Sequence, residues 1–273
     1  RDRSVSRGLG DVYKRQTNKS SIISNDLEKY YKDDKGFCAT FYNENGTPLT
    51  NKNITFSVNG VSYIKTTDNN GTAKLNINLE SGNYTIISYN PTTNETITNN
   101  ITVLSSINGN DLTKYFKNAT QYSVTLYDKT GKALVNKTVR FNINGIFYER
   151  KTNEKGVAQL NINLDPGNYI VTVYNLITGE EKSNNINIVS RIQLLDLNNA
   201  SNVILPEGYV IPVMFIGNGK AYAQCRATTL DEKGNPLANQ LVTFNINGII
   251  YKGTTDKFGI IDAIIYVLSL IHI

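Results

Sequence analysis

The sequence predicts an all-β chain built from tandem antiparallel β-sandwich repeats, and three observations carry that prediction. A segment of about 85 residues recurs without a gap; apolar residues alternate at period two within it; and turn residues cut the runs about every eight to twelve positions. Helical spacing is absent from these runs. Thr, Val, Ile and Tyr are abundant, with one Met and no Trp, which suits half-buried pleated surfaces.

The repeat comes first because it sets the domain count. Residues 25–105 align with 110–190 at a constant offset of 85, and about 35 of the 81 positions are identical. NDLEKYYK answers NDLTKYFK, FSVNGVSY answers FNINGIFY, and NNGTAKLNINLESGNY answers EKGVAQLNINLDPGNY. A third copy is recognised from about Ala221, where DEKGNPLANQLVTFNINGIIYKGTTDKFG repeats the same landmarks and then stops before its second half. The expected organisation is a non-native tail over 1–16, repeat 1 over 17–106, repeat 2 over 107–190, a linker or lead-in strand over 191–220, a truncated repeat 3 over 221–267 and a second non-native tail over 268–273. Each full unit is long enough to bury its own small core.

Within repeat 2 the alternation predicts seven strands: Leu112–Phe116, Tyr122–Tyr127, Thr138–Ile143, Ile146–Lys151, Val157–Leu164, Tyr169–Tyr174 and Asn185–Val189. Ile107–Asn110 reads as a short connector. Asn59-Gly60, Asn144-Gly145 and Asn247-Gly248 are two-residue hairpin signals, because a type I′ turn needs positive φ at both central residues. Gly71, Gly156 and Gly259 close a second hairpin, and Asp128-Lys129-Thr130-Gly131 with its counterparts a third. The inward positions are Val124, Leu126, Phe141, Ile143, Leu160, Ile162, Leu164, Tyr169 and Ile188. Their counterparts are Ala39, Phe41, Phe56, Val58, Leu75, Ile77, Leu79, Tyr84 and Val103.

One motif narrows the sandwich to the immunoglobulin-like class. LESGNY ends in Tyr84 and LDPGNY in Tyr169, and a tyrosine opening a late strand after a glycine turn resembles the tyrosine corner, whose hydroxyl bonds back to the loop backbone. The runs KTVRFNINGIFYERKTNEKGVAQLNINLDPGNYIVTVYN and NDLTKYFKN also resemble the immunoglobulin-like repeats of adhesin-like surface proteins of methanogenic archaea. That resemblance covers nearly all of residues 25–267. It implies an extracellular, cell-surface stalk whose ligand the repeat itself does not define.

The ends bear on the charge argument. RDRSVSRGLGDVYKRQ and the closing LSLIHI resemble translated sequencing-adapter reads and are expected to be foreign to the repeats. The first of these supplies three of the five formal positive charges, leaving about +2 for the rest, so the basic balance gives no ground for a nucleic-acid partner. Within the repeats no apolar run approaches the ~20 residues of a spanning helix. Cys38 and Cys225 fall in different repeats at no metal or disulfide spacing and read as lone thiols.

The search for chemistry excludes more than it finds. The sole histidine, His272, lies in the closing tail, so histidine-based acyl transfer is excluded, and no glycine-rich phosphate loop is present. Asp68-Asn69-Asn70-Gly71 has the look of a calcium loop, but Asn153-Glu154-Lys155-Gly156 answers it with a lysine inside, which favours turn chemistry. Lys52 and Lys137 occupy equivalent places, yet Gln240 stands there in the third copy, against a lysine cross-link. Asn45, Asn53, Asn70, Asn94, Asn100, Asn118, Asn136 and Asn199 begin sequons and are candidate glycan sites, while Asn83, beside Tyr84, is the least accessible. The structural residues expected to matter most are Tyr84, Tyr169, Gly60, Gly145 and Gly248.

The expected function is a non-catalytic stalk or adhesion repeat without cofactor or metal, monomeric, that spaces or presents a binding domain toward a surface glycan or protein. Direct recognition by a loop end or an aromatic strip, and an accessory domain of a surface enzyme, are the alternatives.

Overall fold

The computed structural model describes residues 19–195, 202–203, 213–216, 220–246 and 249–267, and these contain strands and turns without a helix. The chain divides into two compact units, Arg1–Ser105 and Ser106–Ile273. Repeat 1 lies in the first; repeat 2 and the partial third copy lie in the second.

The first unit contains β1 (Ile22–Ser24), β2 (Leu27–Tyr30), β3 (Gly36–Phe41), β4 (Asn53–Val58), β5 (Val61–Thr66), β6 (Thr72–Asn76), β7 (Gly82–Asn90) and β8 (Glu95–Leu104). They form two sheets, β1-β3-β6 and β2-β8-β7-β4-β5. All pairs are antiparallel except β2 with β8, which run parallel. The opening of the chain is thus split, β1 on one sheet and β2 on the other. That split, with the parallel first-to-last pair, is the immunoglobulin-like sandwich. Alternate residues of each strand turn inward, so Phe37, Ala39 and Phe41 of β3 meet Ile54, Phe56 and Val58 of β4 in one core. Phe37 and Phe56 pack edge to face with centroids 5.6 Å apart. Each such buried large side chain is worth roughly 1.5–3 kcal/mol against exposure.

The second unit repeats the plan with β9 (Ile107–Gly109), β10 (Leu112–Tyr115), β11 (Tyr122–Leu126), β12 (Thr138–Ile143), β13 (Ile146–Lys151), β14 (Val157–Leu160), β15 (Gly167–Asn175) and β16 (Glu180–Val189). Its sheets are β9-β11-β14 and β10-β16-β15-β12-β13. Register is preserved at the offset of 85: Ile22 faces Phe41 as Ile107 faces Leu126, and Leu27 faces Ile101 as Leu112 faces Ile186. Ile107–Gly109, expected as a connector, is therefore a strand. Three residues paired along one edge are too few to show alternation, which is why the pattern passed over them. The late strands reach further than expected, and the predicted Val157–Leu164 stops at Leu160.

Most expected core positions are buried, while Leu79, Tyr84, Leu164 and Tyr169 are partly so. Ile107, Tyr122, Leu134, Val139, Ala158, Val171, Val173 and Ile186 complete the core of repeat 2. At the hairpins Asn59 and Gly60 have φ of 51° and 77°, and Asn144 and Gly145 52° and 78°, which fits the type I′ requirement. Asn247 and Gly248 lie outside the described residues.

Part of the stretch expected as a linker or lead-in strand, 191–220, is a strand. Strand β17 (Ile192–Leu195) pairs with β20 (Lys220–Thr229) in the register that β9 keeps with β11, Ile192 facing Thr229 as Ile107 faces Leu126. The offset of 85 thus still holds at residue 192, although it has grown to 103 by Gly259. The extra 18 residues fall between these two strands, together with β18 (Asn202–Val203) and β19 (Val213–Ile216). Strand β23 (Ile260–Val267) pairs with the other side of β20. The hairpin of β21 (Leu241–Ile246) and β22 (Ile249–Thr254) forms a two-stranded sheet by itself among the described residues.

Candidate functional site

Six turns in the three copies share one device. The side-chain Oδ1 of Asp68 accepts the backbone N–H of Asn70 and Thr72 at 2.9 and 2.8 Å, and Asn153 accepts those of Lys155 and Val157 at 2.9 and 3.0 Å. Asn43, Asp128 and Asp231 do the same one turn earlier in their copies, and Asp256 does so at the same turn of the third. One oxygen serves, so Asp and Asn interchange freely. The Asp68 loop is thereby explained as a turn.

Two polar clusters tie the sheets together, and the sequence pattern did not reveal either. Asn90, the last residue of β7, is buried and donates from Nδ2 to Ser21 Oγ at 3.0 Å and to the Tyr42 carbonyl at 2.8 Å, while Glu95 Oε2 accepts the Ser21 N–H and hydroxyl at 2.7 and 2.6 Å. Asn175, Ser106, Tyr127 and Glu180 rebuild this strap in repeat 2. Each strap links the residues flanking the first and third strands of one sheet to the last hairpin of the other. The second cluster is a buried lysine. Lys29 Nζ donates to the carbonyls of Asp33 and Ile77 at 2.5 and 2.6 Å, and Lys114 Nζ to those of Thr120 and Ile162 at 2.9 and 3.0 Å. Burial pushes both ammonium groups below the usual lysine range. The lysine of the NDLxKY motif was the available signal, since its spacing places it on an inward position of β2 and β10.

The first strand switches sheets at an aspartate. Asp26 accepts from the Asn100 backbone N–H at 2.9 Å and from the side-chain amides of Asn99 and Asn100, and Asp111 does so from Asn184 and Asn185. These hydrogen bonds, with the Asn100 N–H foremost at Asp26 and the Asn185 amide foremost at Asp111, hold both carboxyls below the usual range. The asparagine beside them has a different third partner in each repeat. Asn99 Oδ1 accepts from Ser24 Oγ at 2.6 Å, whereas Asn184 Oδ1 accepts from Tyr122 Oη at 2.8 Å. Burial, reinforced by the charge of Asp111, pushes the Tyr122 phenol up to about 12.

The expected structural tyrosines donate back four residues: Tyr84 Oη to the Glu80 carbonyl at 2.8 Å and Tyr169 Oη to the Asp165 carbonyl at 2.9 Å. Of the sequon asparagines, Asn45, Asn53, Asn70, Asn83, Asn94, Asn100 and Asn136 are exposed, so Asn83, expected to be the least accessible, is not shielded by Tyr84. Asn118 is half-buried and its Nδ2 donates to the Glu232 carbonyl at 2.7 Å, the atom a glycan would occupy. Asn199 lies outside the described residues, as do His272 and the Cys225 side chain. Cys38 is a free, exposed thiol, and Lys52 and Lys137 are exposed. The structure thus scatters the expected residues over the surface and brings none of them into one reactive cluster.

A shallow groove in repeat 1, about 460 Å³, is lined by residues including Asp26, Glu28, Asn83, Tyr84, Asn100 and Thr102. In repeat 2, Thr113 and Asn187 stand where Glu28 and Thr102 stand in repeat 1. Among the described residues no group of three or more His, Cys, Asp or Glu is placed to hold a metal ion, and no helix is long and apolar enough to cross a membrane.

No protein-family profile matches the chain, and no curated protein matches it. Solved structures similar to it include a Ca2+-stabilized adhesin that helps an Antarctic bacterium reach out and bind ice, with 14% identity over 91% of this chain and 66% of that one, at a TM-score of 0.23. Invasin, a bacterial integrin-binding protein, matches at 13% identity over 82% of this chain and 48% of its own, at 0.27. A three-immunoglobulin segment of titin matches at 11% identity over 88% and 94%, also at 0.27. The immunoglobulin-like assignment itself rests on the strand order and register of the two complete repeats.

Proposed function

We propose that this chain is a non-catalytic spacer or adhesion repeat of a cell-surface protein, holding a binding domain away from the surface that carries it. The observation that supports this most is what the duplication keeps. The straps and the buried lysine recur residue for residue between the complete repeats, the core positions stay apolar and each turn keeps an Asp or an Asn, while the exposed edge strands diverge, Val61-Ser62-Tyr63-Ile64 against Ile146-Phe147-Tyr148-Glu149. A chain that retains its interior and lets its surface drift serves by its length and fold. Exposed sequons such as Asn45, Asn70 and Asn136 suit a glycan coat on an exported protein.

The test uses small-angle scattering on the full chain and on chains with one 85-residue unit added or removed. The spacer reading expects the maximum dimension to change by about 30–40 Å per unit, the length of a sandwich with its loops. An unchanged dimension overturns it. The groove over Asp26, Glu28 and Tyr84 supports a second reading, direct recognition of a glycan. Saturable binding on a glycan array, lost on Tyr84→Ala, would favour that reading over the spacer.

A further inference from the structure

We propose that repeat 1 is a homotypic pairing module, in which edge strand β5 adds antiparallel to β5 of a second copy of this chain, about a two-fold axis at Ile64. Repeat 1 leaves this edge apolar at the place where the other two copies guard theirs with a charge. The pairing does not rest on the spacer reading, and its failure would leave that reading intact.

Strand β5 closes one side of the sheet β2-β8-β7-β4-β5, whose five strands all lie among the described residues. The hairpin decides which of its backbone groups point outward. Asn59 and Gly60 make a two-residue type I′ loop, so Val58 and Val61, which flank it, exchange both hydrogen bonds. Parity then runs along the strand: Val61, Tyr63 and Lys65 turn their N–H and C=O toward β4, while Ser62, Ile64 and Thr66 turn theirs outward. The next residue agrees, since the Thr67 N–H donates to the Lys52 carbonyl at 2.9 Å and the Thr67 carbonyl accepts from the Asn51 N–H at 3.1 Å. Among the described residues no strand pairs with the outward row. The side chains are open as well. Val61 is 52% and Ile64 69% exposed, and the strand has neither a proline nor a bulge to blunt its edge.

Self-complementarity and charge identify the occupant. A two-fold axis at Ile64 sets Ile64 against its own image, Ser62 against Thr66 and Tyr63 against Lys65, and the outward residues then form the hydrogen-bonded pairs. Ile64 gains an apolar neighbour, two hydroxyls meet, and each ammonium lies beside a tyrosine ring. The other copies oppose the same pairing. Glu149 holds the central place in repeat 2 and Lys252 holds it in the third copy, and each would face its own charge across the axis. One pair of six-residue strands falls below the roughly 1,200 Å² of a standard interface. The chain is therefore monomeric when dilute and pairs where copies are crowded side by side.

The test is sedimentation equilibrium on the full chain up to about 0.5 mM, with reductant present to keep the exposed Cys38 from cross-linking. A reversible dimer is expected, and amide exchange at Ser62, Ile64 and Thr66 should slow as concentration rises, while that at Tyr63 and Lys65 is slow throughout. Ile64→Glu and Ile64→Lys should each weaken dimerisation by about tenfold, because like charges then face each other across the axis. An equimolar mixture of the two variants should pair again, because opposite charges meet. Both variants keep the fold, since Ile64 is exposed, and circular dichroism verifies it. A chain that stays monomeric throughout overturns the proposal. So does a dimer indifferent to Ile64→Glu, or a mixture of the two variants that fails to pair.

Discussion

Repeat 1 and repeat 2 solve one local problem in two ways. Beside the sheet-switching aspartate, repeat 1 has Phe37 with Ser24, and repeat 2 has Tyr122 with Gly109. In both cases one hydroxyl reaches the asparagine, from the serine in the first repeat and from the tyrosine in the second. The pairs are exclusive, because a Cβ on Gly109 would stand 2.5 Å from Tyr122 Oη and 3.1 Å from Asn184 Oδ1. The lesson is that the duplicated unit keeps a hydrogen bond and a volume, and lets the residues that supply them change together.

Breaking the pairing should have the largest effect. Gly109→Ser is expected to destabilise repeat 2 by about 3 kcal/mol through overpacking, and adding Tyr122→Phe should restore most of it by recreating the arrangement of repeat 1. Denaturant unfolding of the single and double variants measures the coupling; additive effects would mean that the two positions are independent.

Alkali should separate the repeats next. An unfolded tyrosine ionises near pH 10, but folded Tyr122 stays neutral to about 12, so its contribution is complete below pH 10 and is lost as pH rises from 10 to 12. That loss amounts to about 2.5 kcal/mol for repeat 2, and repeat 1, with Phe37, has no equivalent. Circular dichroism against pH should show the Gly109→Ser, Tyr122→Phe chain resisting alkali better than its parent.

Smaller effects should be shared by the two repeats. Tyr169→Phe removes one neutral hydrogen bond to the Asp165 carbonyl and should cost about 1 kcal/mol; Tyr84→Phe should match it, and an unmoved denaturation midpoint in both would show these bonds to be dispensable. Acid should weaken both repeats alike. The Asp26 and Asp111 carboxyls lie below their unfolded values, so the stability they add is present above about pH 4 and is lost as pH falls through the folded values. A difference between Asp26→Asn and Asp111→Asn in acid midpoint would show that the two switches are not equivalent.

Much of the fold was legible in the sequence, because a period-two pattern repeated at a fixed offset specifies strands, turns and inward positions together. Phe141, Ile143 and Leu160 could be placed in the core from alternation alone. The short strands β1, β9 and β17 could not, since pairing defines them more than pattern does. The straps were hidden for another reason. Asn90 and Glu95 are unremarkable in a chain rich in asparagine, and their meaning comes from Ser21, some seventy residues away, which folding brings to them. Buried Lys29 looked like any surface lysine until its neighbours were carbonyls.

The accepting Oδ1 that the six turns share bears on how such a protein ages. Asparagine side chains lose ammonia slowly over a protein's lifetime, in part to aspartate and in larger part, through a succinimide, to isoaspartate. At Asn43 and Asn153 the Nδ2 carries no part of the turn, and the aspartate product has the form already present at Asp68, Asp128, Asp231 and Asp256. Conversion to aspartate at those two positions would therefore leave the hairpins intact, whereas isoaspartate, which adds a methylene to the main chain, would break them.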